Sequence, residues 1–348
     1  MRLLRLTVST LAAAVLAAGC SDGGSTAPAG DPAFGAVAPR GQLALYGVGA
    51  MGVGCTAPAH REFDFWVGKW DVENPSAARV GTNAILSGLD GCAVLEHWTG
   101  AGGGRGRSLN MYDAADGQWH QRWVDEFTTH LRLDGGLVNG NMVMSGVRNF
   151  PTISVVDRIT WTPIAPDSVR QFWDISLDSG TTFALIAFDG LYLKRPEIAP
   201  APAPGTAFCA GAPFDEFDFW VGEWEVEVGA PGRGRSVVTN QLSGCLVEES
   251  FQTADGYESV TWVSYDALES RWFRYSIDSE GQRLELSGVA QGDAIVLTGE
   301  DRLRTGQTGL VRATWERRGP NLVRQLFETS LDGGASWKVD LRTIYHRK

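Results

Sequence analysis

Two glutamates carry the residue context best suited to chemistry. Glu96 lies in Cys92-Ala93-Val94-Leu95-Glu96-His97-Trp98, and Glu249 lies in Cys245-Leu246-Val247-Glu248-Glu249-Ser250-Phe251. The segments agree at alternate positions: Cys92, Val94, Glu96 and Trp98 meet Cys245, Val247, Glu249 and Phe251, while the residues between them differ. Strand side chains alternate between faces, so the matched set predicts an inward face with one carboxylate per segment among aromatics. A buried carboxylate is costly unless paired. That predicts a cation nearby, Arg158 or Arg170 for Glu96 and Arg312 or Arg324 for Glu249. A polar anchor in an apolar cup is a common build for a small-molecule site. Trp98, Tyr112, Trp119, Trp161, Arg170 and Gln171 would line it around Glu96, and Phe251, Tyr265, Trp272, Trp315, Arg324 and Gln325 around Glu249. The competing arrangement is a filled interior with one Arg–Glu bridge.

Other chemistry has less support. Glu96 and Asp125 could form an acid–base pair of the glycosidase kind, which depends on their separation. The chain has no Gly-x-Ser-x-Gly, Cys-x-x-Cys or His-Glu-x-x-His motif. Gly100 to Gly106 is glycine-rich but precedes a strand pattern, which predicts a hairpin loop at a barrel mouth and no phosphate cradle. Of the five histidines, His60, His97, His120 and His130 precede residue 196 and have no counterpart in the second half; His346 is the fifth. A metal or haem site belonging to a repeated unit should recur, so neither metal nor cofactor is expected. With 30 Lys+Arg against 41 Asp+Glu, the net charge of −11 argues against nucleic-acid binding.

The elements that must position these residues are written twice. Phe63-Asp64-Phe65-Trp66-Val67-Gly68-Lys69-Trp70 returns as Phe217-Asp218-Phe219-Trp220-Val221-Gly222-Glu223-Trp224. At nearly the same shift Tyr112-Asp113 meets Tyr265-Asp266, Trp119 meets Trp272, Asp125 meets Asp278, Trp161 meets Trp315, and Val169-Arg170-Gln171 meets Val323-Arg324-Gln325. The domains are placed at 55–195 and 209–348, with a stiff Pro/Ala linker over 196–208. Each copy is expected to fold alone. Short runs of Val, Thr, Trp and Ile alternate in polarity between turn residues every eight to twelve positions, with Asp134-Gly135-Gly136 and Asn139-Gly140 as hairpin turns. Eight or more strands per copy predict an all-β protein of two tandem antiparallel barrels or sandwiches, and a barrel, which removes exposed edges, is the expected form. Cys55, Cys92, Cys209 and Cys245 allow three pairings, and only Cys55–Cys92 with Cys209–Cys245 respects the repeat. Closing each loop would stabilise by roughly 4 kcal/mol in the chain-entropy model.

Gly68-Lys69-Trp70 near the first strand resembles the Gly-x-Trp signature of lipocalins and related calycin barrels. That resemblance implies a tryptophan closing one barrel end, with an arginine from a late strand, Arg170 or Arg324, packed across it. The longer string from Phe63 through Gly91-Cys92, Glu96, Tyr112-Asp113, Trp119, Asp125, Arg158, Trp161 and Val169-Arg170-Gln171 resembles a bacterial family of secreted lipocalin-like domains of unknown function. It covers both copies and implies a fold without an activity. Ser330-x-Asp332-x-Gly334-x-Ser336-Trp337 is similar to the Asp-box of sialidase propellers, with Ser176-x-Asp178-x-Gly180-x-Thr182-Phe183 as its counterpart; two occurrences imply turn chemistry, not a propeller.

The first residues read as a leader. Arg2 and Arg5 precede the apolar run Leu6 to Ala18, too short to span a bilayer but suited to a secretory signal. Ala17-Ala18-Gly19-Cys20 resembles the lipobox of bacterial lipoproteins, although Ala17 stands where leucine is usual. The resemblance implies a signal peptide over 1–19, lipidation of Cys20 and, with Ser21 following, outer-membrane sorting. Residues 20–54 read as a tether, and no later segment is apolar enough to span. The expected protein is a non-enzymatic envelope lipoprotein that binds a small apolar or amphipathic molecule inside its barrels and meets the membrane through its lipid. A structural module contacting an envelope partner is the alternative, and a carbohydrate-active enzyme the third. Replacing Cys20 with serine (Cys20→Ser) should move the protein from the membrane to the soluble fraction, checked by fractionation and intact mass; unchanged retention of an unlipidated wild type would rule out the lipid anchor.

Overall fold

The computed structural model describes residues 54–196, 208–229, 232–303 and 307–348. Cys20, the expected leader and tether, and nearly all of the expected linker lie outside the described residues. The first copy forms β1 (Gly68–Glu73), β2 (Arg79–Gly88), β3 (Ala93–Gly100), β4 (Arg105–Asp113), β5 (Gln118–Asp125), β6 (His130–Val138), β7 (Asn141–Asn149), β8 (Ser154–Ala165), β9 (Ser168–Ser176) and β10 (Leu185–Lys194). The second forms β11 (Gly222–Val228), β12 (Gly232–Gln241), β13 (Leu246–Thr253), β14 (Glu258–Asp266), β15 (Arg271–Asp278), β16 (Arg283–Gln291), β17 (Ala294–Arg302), β18 (Thr308–Gly319), β19 (Leu322–Ser330) and β20 (Lys338–Arg347). Each set is a closed barrel of neighbours in chain order, and closure by β1–β10 and β11–β20 leaves no open edge. Period-two burial along β8, where Val155, Asp157, Ile159 and Trp161 are buried, shows how the alternating sequence selects strand.

Turn chemistry fixes the register. Asn139-Gly140 joins β6 to β7 with positive φ at both residues, as a tight two-residue hairpin requires. Asp134-Gly135-Gly136 is not a turn but part of β6. A side chain at Gly135 would lie 2.1 Å from the Val143 carbonyl, so close backbone approach selects glycine there. Asp178 and Asp332 cap the amides of Thr182 (2.8 Å) and Ser336 (2.9 Å), the turn role expected of both. The disulfides are Cys55–Cys92 and Cys209–Cys245.

A ten-stranded ring is wider than the eight-stranded barrel that side chains alone just fill. In each copy the segment before the first strand fills one end. A short 3-10 turn, Asp64–Trp66, drives Phe63 and Trp66 inward, where Phe63 meets Trp66 at 4.8 Å, Trp161 at 5.1 Å and Trp119 at 5.6 Å between ring centres. Phe217 and Trp220 repeat this against Trp272 and Trp315. Trp70 Nε1 donates to the Trp66 carbonyl at 2.9 Å, and Trp224 to that of Trp220 at 2.8 Å, so the Gly-x-Trp residue clamps the plug. The cation across that tryptophan is not Arg170 or Arg324. Lys194 of β10 covers Trp70, and Arg347 of β20 covers Trp224 at 4.1 Å, because the last strand, not the ninth, hydrogen-bonds to the first.

The two barrels meet along the outer faces of β3–β6 and β13–β16. Leu109, Met111 and Val124 join Leu246, Trp262, Tyr275 and Ile277 in one buried cluster that contains all four disulfide cysteines. Ion pairs ring it: Arg122 to Glu285 (2.8 Å), Arg107 to Glu248 (3.1 Å), Arg132 to Asp266 (3.2 Å) and Glu269, and Arg283 to Asp113 (2.7 Å) and Asp116 (3.1 Å). Asp113 and Asp266, and likewise His130 and Arg283, are repeat equivalents that face each other crosswise, so the contact has an internal two-fold character. The copies are therefore packed against each other, and a fragment ending in the linker would expose this apolar face. Arg122 is almost wholly buried, so Arg122→Ala should cost about 3 kcal/mol in a urea melt of the full chain. Arg170→Ala, at an exposed pair, should cost under ~1 kcal/mol.

Candidate functional site

Glu96 points into barrel 1 from β3, opposite Ser108 of β4. Asn83 Nδ2 of β2 donates to its Oε1 and Ser108 Oγ to its Oε2, both at 2.6 Å. Neutral groups extend the network: Asn110 donates to Ser108 (2.9 Å), Gln121 to Asn110 (2.8 Å), and Tyr192 OH to Gln171. The predicted arginine partner is missing. Arg158 turns outward to Asp174 and Arg170 to Asp189, and Glu96 meets no cation among the described residues. An arginine at either position faces away because each lies one step from inward residues, Arg158 between Asp157 and Ile159 and Arg170 between Val169 and Gln171. Burial pushes the Glu96 carboxyl up to about 7, against the opposing pull of the Ser108 and Asn83 hydrogen bonds.

Above this floor lies a cavity of about 200 Å³. Trp98, Trp123, Trp173 and Phe188 wall it, Leu131 and Ile159 complete its apolar side, and Glu96, Gln121, Asp125, Gln171 and Tyr192 supply its polar groups. Phe188 meets Trp98 edge to face at 5.8 Å. Trp173 Nε1 donates to Asp157 at 2.8 Å, which fixes its ring. The Trp123 ring lies over Gly106, where a side chain would sit 2.2 Å away, so the glycine makes room for the wall. Asp125 accepts the amides of Phe127 and Thr129, both at 2.9 Å, and burial raises its carboxyl despite them.

Of the residues the sequence assigned to this cup, Glu96, Trp98 and Gln171 line it. Tyr112, Trp119 and Trp161 belong to the plugged end, and Arg170 lies outside on its pair with Asp189. Gln121, Trp123, Leu131, Ile159, Trp173, Phe188 and Tyr192 went unassigned. Continuing the period of two from Trp119 gives Gln121 and Trp123, and from Gln171 gives Trp173, so the signal was there for three of them.

Barrel 2 keeps the glutamate and fills the space. Glu249 accepts from Ser236 Oγ (2.7 Å) and Tyr345 OH (3.0 Å). Arg274 occupies the position of Gln121; its guanidinium donates to Ser276 (2.8 Å) and Thr261 (3.4 Å) and lies 5.4 Å from the Phe327 ring centre. Tyr257, fully buried, reaches Asp278 at 3.1 Å beside Phe251, and a void of about 10 Å³, room for one water, remains there. Burial raises Glu249, opposed by Ser236, Tyr345 and then the Arg274 charge. Arg312 pairs with Glu328 and Arg324 with Glu316, so neither predicted cation serves Glu249. Phe251 and Gln325 are buried beside Glu249, whereas Tyr265, Trp272 and Trp315 join the plug.

Asp113, Asp116 and His120 bring ligand atoms within 4.8 Å of one another. Arg283 already donates to both aspartates, and His120 is held by Asp134 at 2.6 Å. The cluster's charge is thus met within the inter-barrel contact. Among the described residues, no helix is long and apolar enough to cross a membrane.

No family model matches the chain, and no curated protein matches it. Among solved structures it is similar to a protein of unknown function from the DUF3598 family of Nostoc punctiforme, 9% identical, over 84% of this chain and 100% of that one, with a TM-score of 0.19.

Raising Glu96 from 4.5 to about 7 links stability to pH. The folded state holds this proton longer than the unfolded state, so the contribution is full below pH 4.5 and is lost as pH rises through about 7. Urea melts should show wild type losing on the order of 3 kcal/mol relative to Glu96→Gln across that window. A constant difference between the two proteins would mean that Glu96 titrates alike in both states.

Proposed function

We propose that barrel 1 is the binding compartment of an envelope lipoprotein and holds one small amphipathic molecule, ring or alkyl body against the aromatic wall and polar end toward Glu96. The observation that supports this most is the cavity of about 200 Å³ above a buried, uncompensated carboxylate. Its size is below the ~300–1,000 Å³ typical of sites for drug-sized ligands, which favours a compact molecule. Barrel 2, whose corresponding space is occupied by Arg274, Tyr257 and Phe251, serves as the packed partner that braces the first. That filled interior favours a structural role for the second copy alone. Two disulfides agree with an oxidising compartment, and the proposed anchor is Cys20, with the outer membrane as destination.

Glu96 and Asp125 line the same cavity, the one observation that favours acid–base catalysis on a bound sugar. Native mass spectrometry of gently purified protein should show one small-molecule adduct, reduced at least tenfold in apparent affinity by Trp98→Ala, which removes an aromatic wall worth about 0.5–1.5 kcal/mol beyond its area. Release of a chemically altered product would favour the enzyme. An adduct-free protein that also binds nothing in a ligand-observed NMR screen would favour the structural module.

A further inference from the structure

The two copies solve the same electrostatic problem differently. Both bury a glutamate at the floor, Glu96 and Glu249, and both carry a second carboxylate on the fifth strand of the barrel, Asp125 and Asp278. In barrel 2 a cation is built in. Arg274 lies among Thr261, Ser276 and Phe327, and its charge acts on Glu249. The repeat equivalents in barrel 1 are Ser108, Trp123 and Trp173, and the arginine is replaced by Gln121. The exchange is coordinated. Where Ser276 makes room for the guanidinium and accepts its hydrogen bond, Trp123 instead walls an open cavity.

Resting on the barrel 1 compartment proposed above, we propose that its ligand is a small organic cation, an alkylated ammonium or an aryl amidinium, whose charge stands where barrel 2 keeps the Arg274 guanidinium. Three features of the cavity fit that class. Among the described residues its two lining carboxylates lack a cation: Asp125 is held by Phe127, Thr129 and Trp123, and Glu96 is surrounded by neutral Asn83 from β2, Ser108 and Asn110 from β4, Gln121 from β5, Gln171 from β9 and Tyr192 from β10. The nearby charges on the wall are spent on each other, Arg148 being held by both oxygens of Asp157 behind Trp173, at 2.6 and 2.8 Å. Four aromatic rings supply the faces that attract desolvated organic cations and that a hydrated metal ion would not use. Such a ligand favours ionised Glu96, so binding releases a proton when Glu96 begins protonated.

The test uses the full chain and two matched pairs of probes, choline with its uncharged carbon isostere dimethylbutanol, and benzamidine with benzamide, titrated by calorimetry. At least one cation should bind tenfold or more tighter than its isostere, with about a tenfold gain between pH 6 and 8 as Glu96 ionises. Glu96→Gln should erase that preference. Gln121→Arg, which copies the state barrel 2 already holds, should abolish cation binding while near-UV circular dichroism stays native. Isosteres that match the cations, or cation binding that survives Gln121→Arg, would overturn the proposal while leaving a neutral amphipathic ligand in the cup. Failure of all four probes, together with an adduct-free native mass spectrum, would remove both the cation and the compartment.

Discussion

A closed sheet of ten strands encloses more space than its inward side chains fill, and the rest of the molecule follows from how that space is occupied. One end is filled the same way in both copies. Phe63 and Trp66, or Phe217 and Trp220, are folded in from the chain before the first strand and meet tryptophans of the fifth and eighth strands. The other end is where the copies part. Arg274, Tyr257 and Phe251 complete a solid interior in barrel 2, whereas Gln121, Trp98 and Trp123 leave a cup in barrel 1. The buried glutamate that both copies share then has opposite surroundings, a guanidinium in one barrel and neutral amides, hydroxyls and an open space in the other.

Packing the barrels together explains this division. A hollow barrel has fewer interior contacts to hold its walls, and the wall of barrel 1 that carries Glu96, Ser108 and Gln121 is the one buried against barrel 2. Its outward residues Leu109, Met111, Arg122 and Val124 are fixed by apolar contact and by the Glu285 bridge. The solid copy thereby stiffens the strands that present the polar floor. Both disulfides lie in the same contact, tying each barrel's incoming segment to the start of its third strand.

Much of this was legible in the residues. The duplicated Phe-Asp-Phe-Trp string, the period-two runs and the two cysteine pairs specify two antiparallel barrels and their bridges. Agreement between the copies at Glu96 and Glu249 correctly marks the inward face. What misled was the assumption that a buried carboxylate needs an arginine of its own: Glu96 is held by Asn83 and Ser108 and meets the cost of burial by a raised pKa. Agreement between copies also hid the cup, because the residues that make it, Gln121 and Trp123, are those where the copies differ. The contact between barrels was illegible for a related reason. Leu109, Met111 and Val124 alternate with inward residues, so β4 and β5 are buried on both faces, and pattern alone does not say what covers the outer one.

The most direct measurement is the titration of the Glu96 side-chain carboxyl by carbon NMR in the intact protein, assigned through the loss of its signal in Glu96→Gln. A carboxylate buried beneath an open cup without a built-in cation should show a midpoint near 7, well above the ordinary 4.5. A midpoint at or below 4.5 would mean that Glu96 is paired or fully solvated, and would contradict the division of the protein into one hollow and one filled barrel.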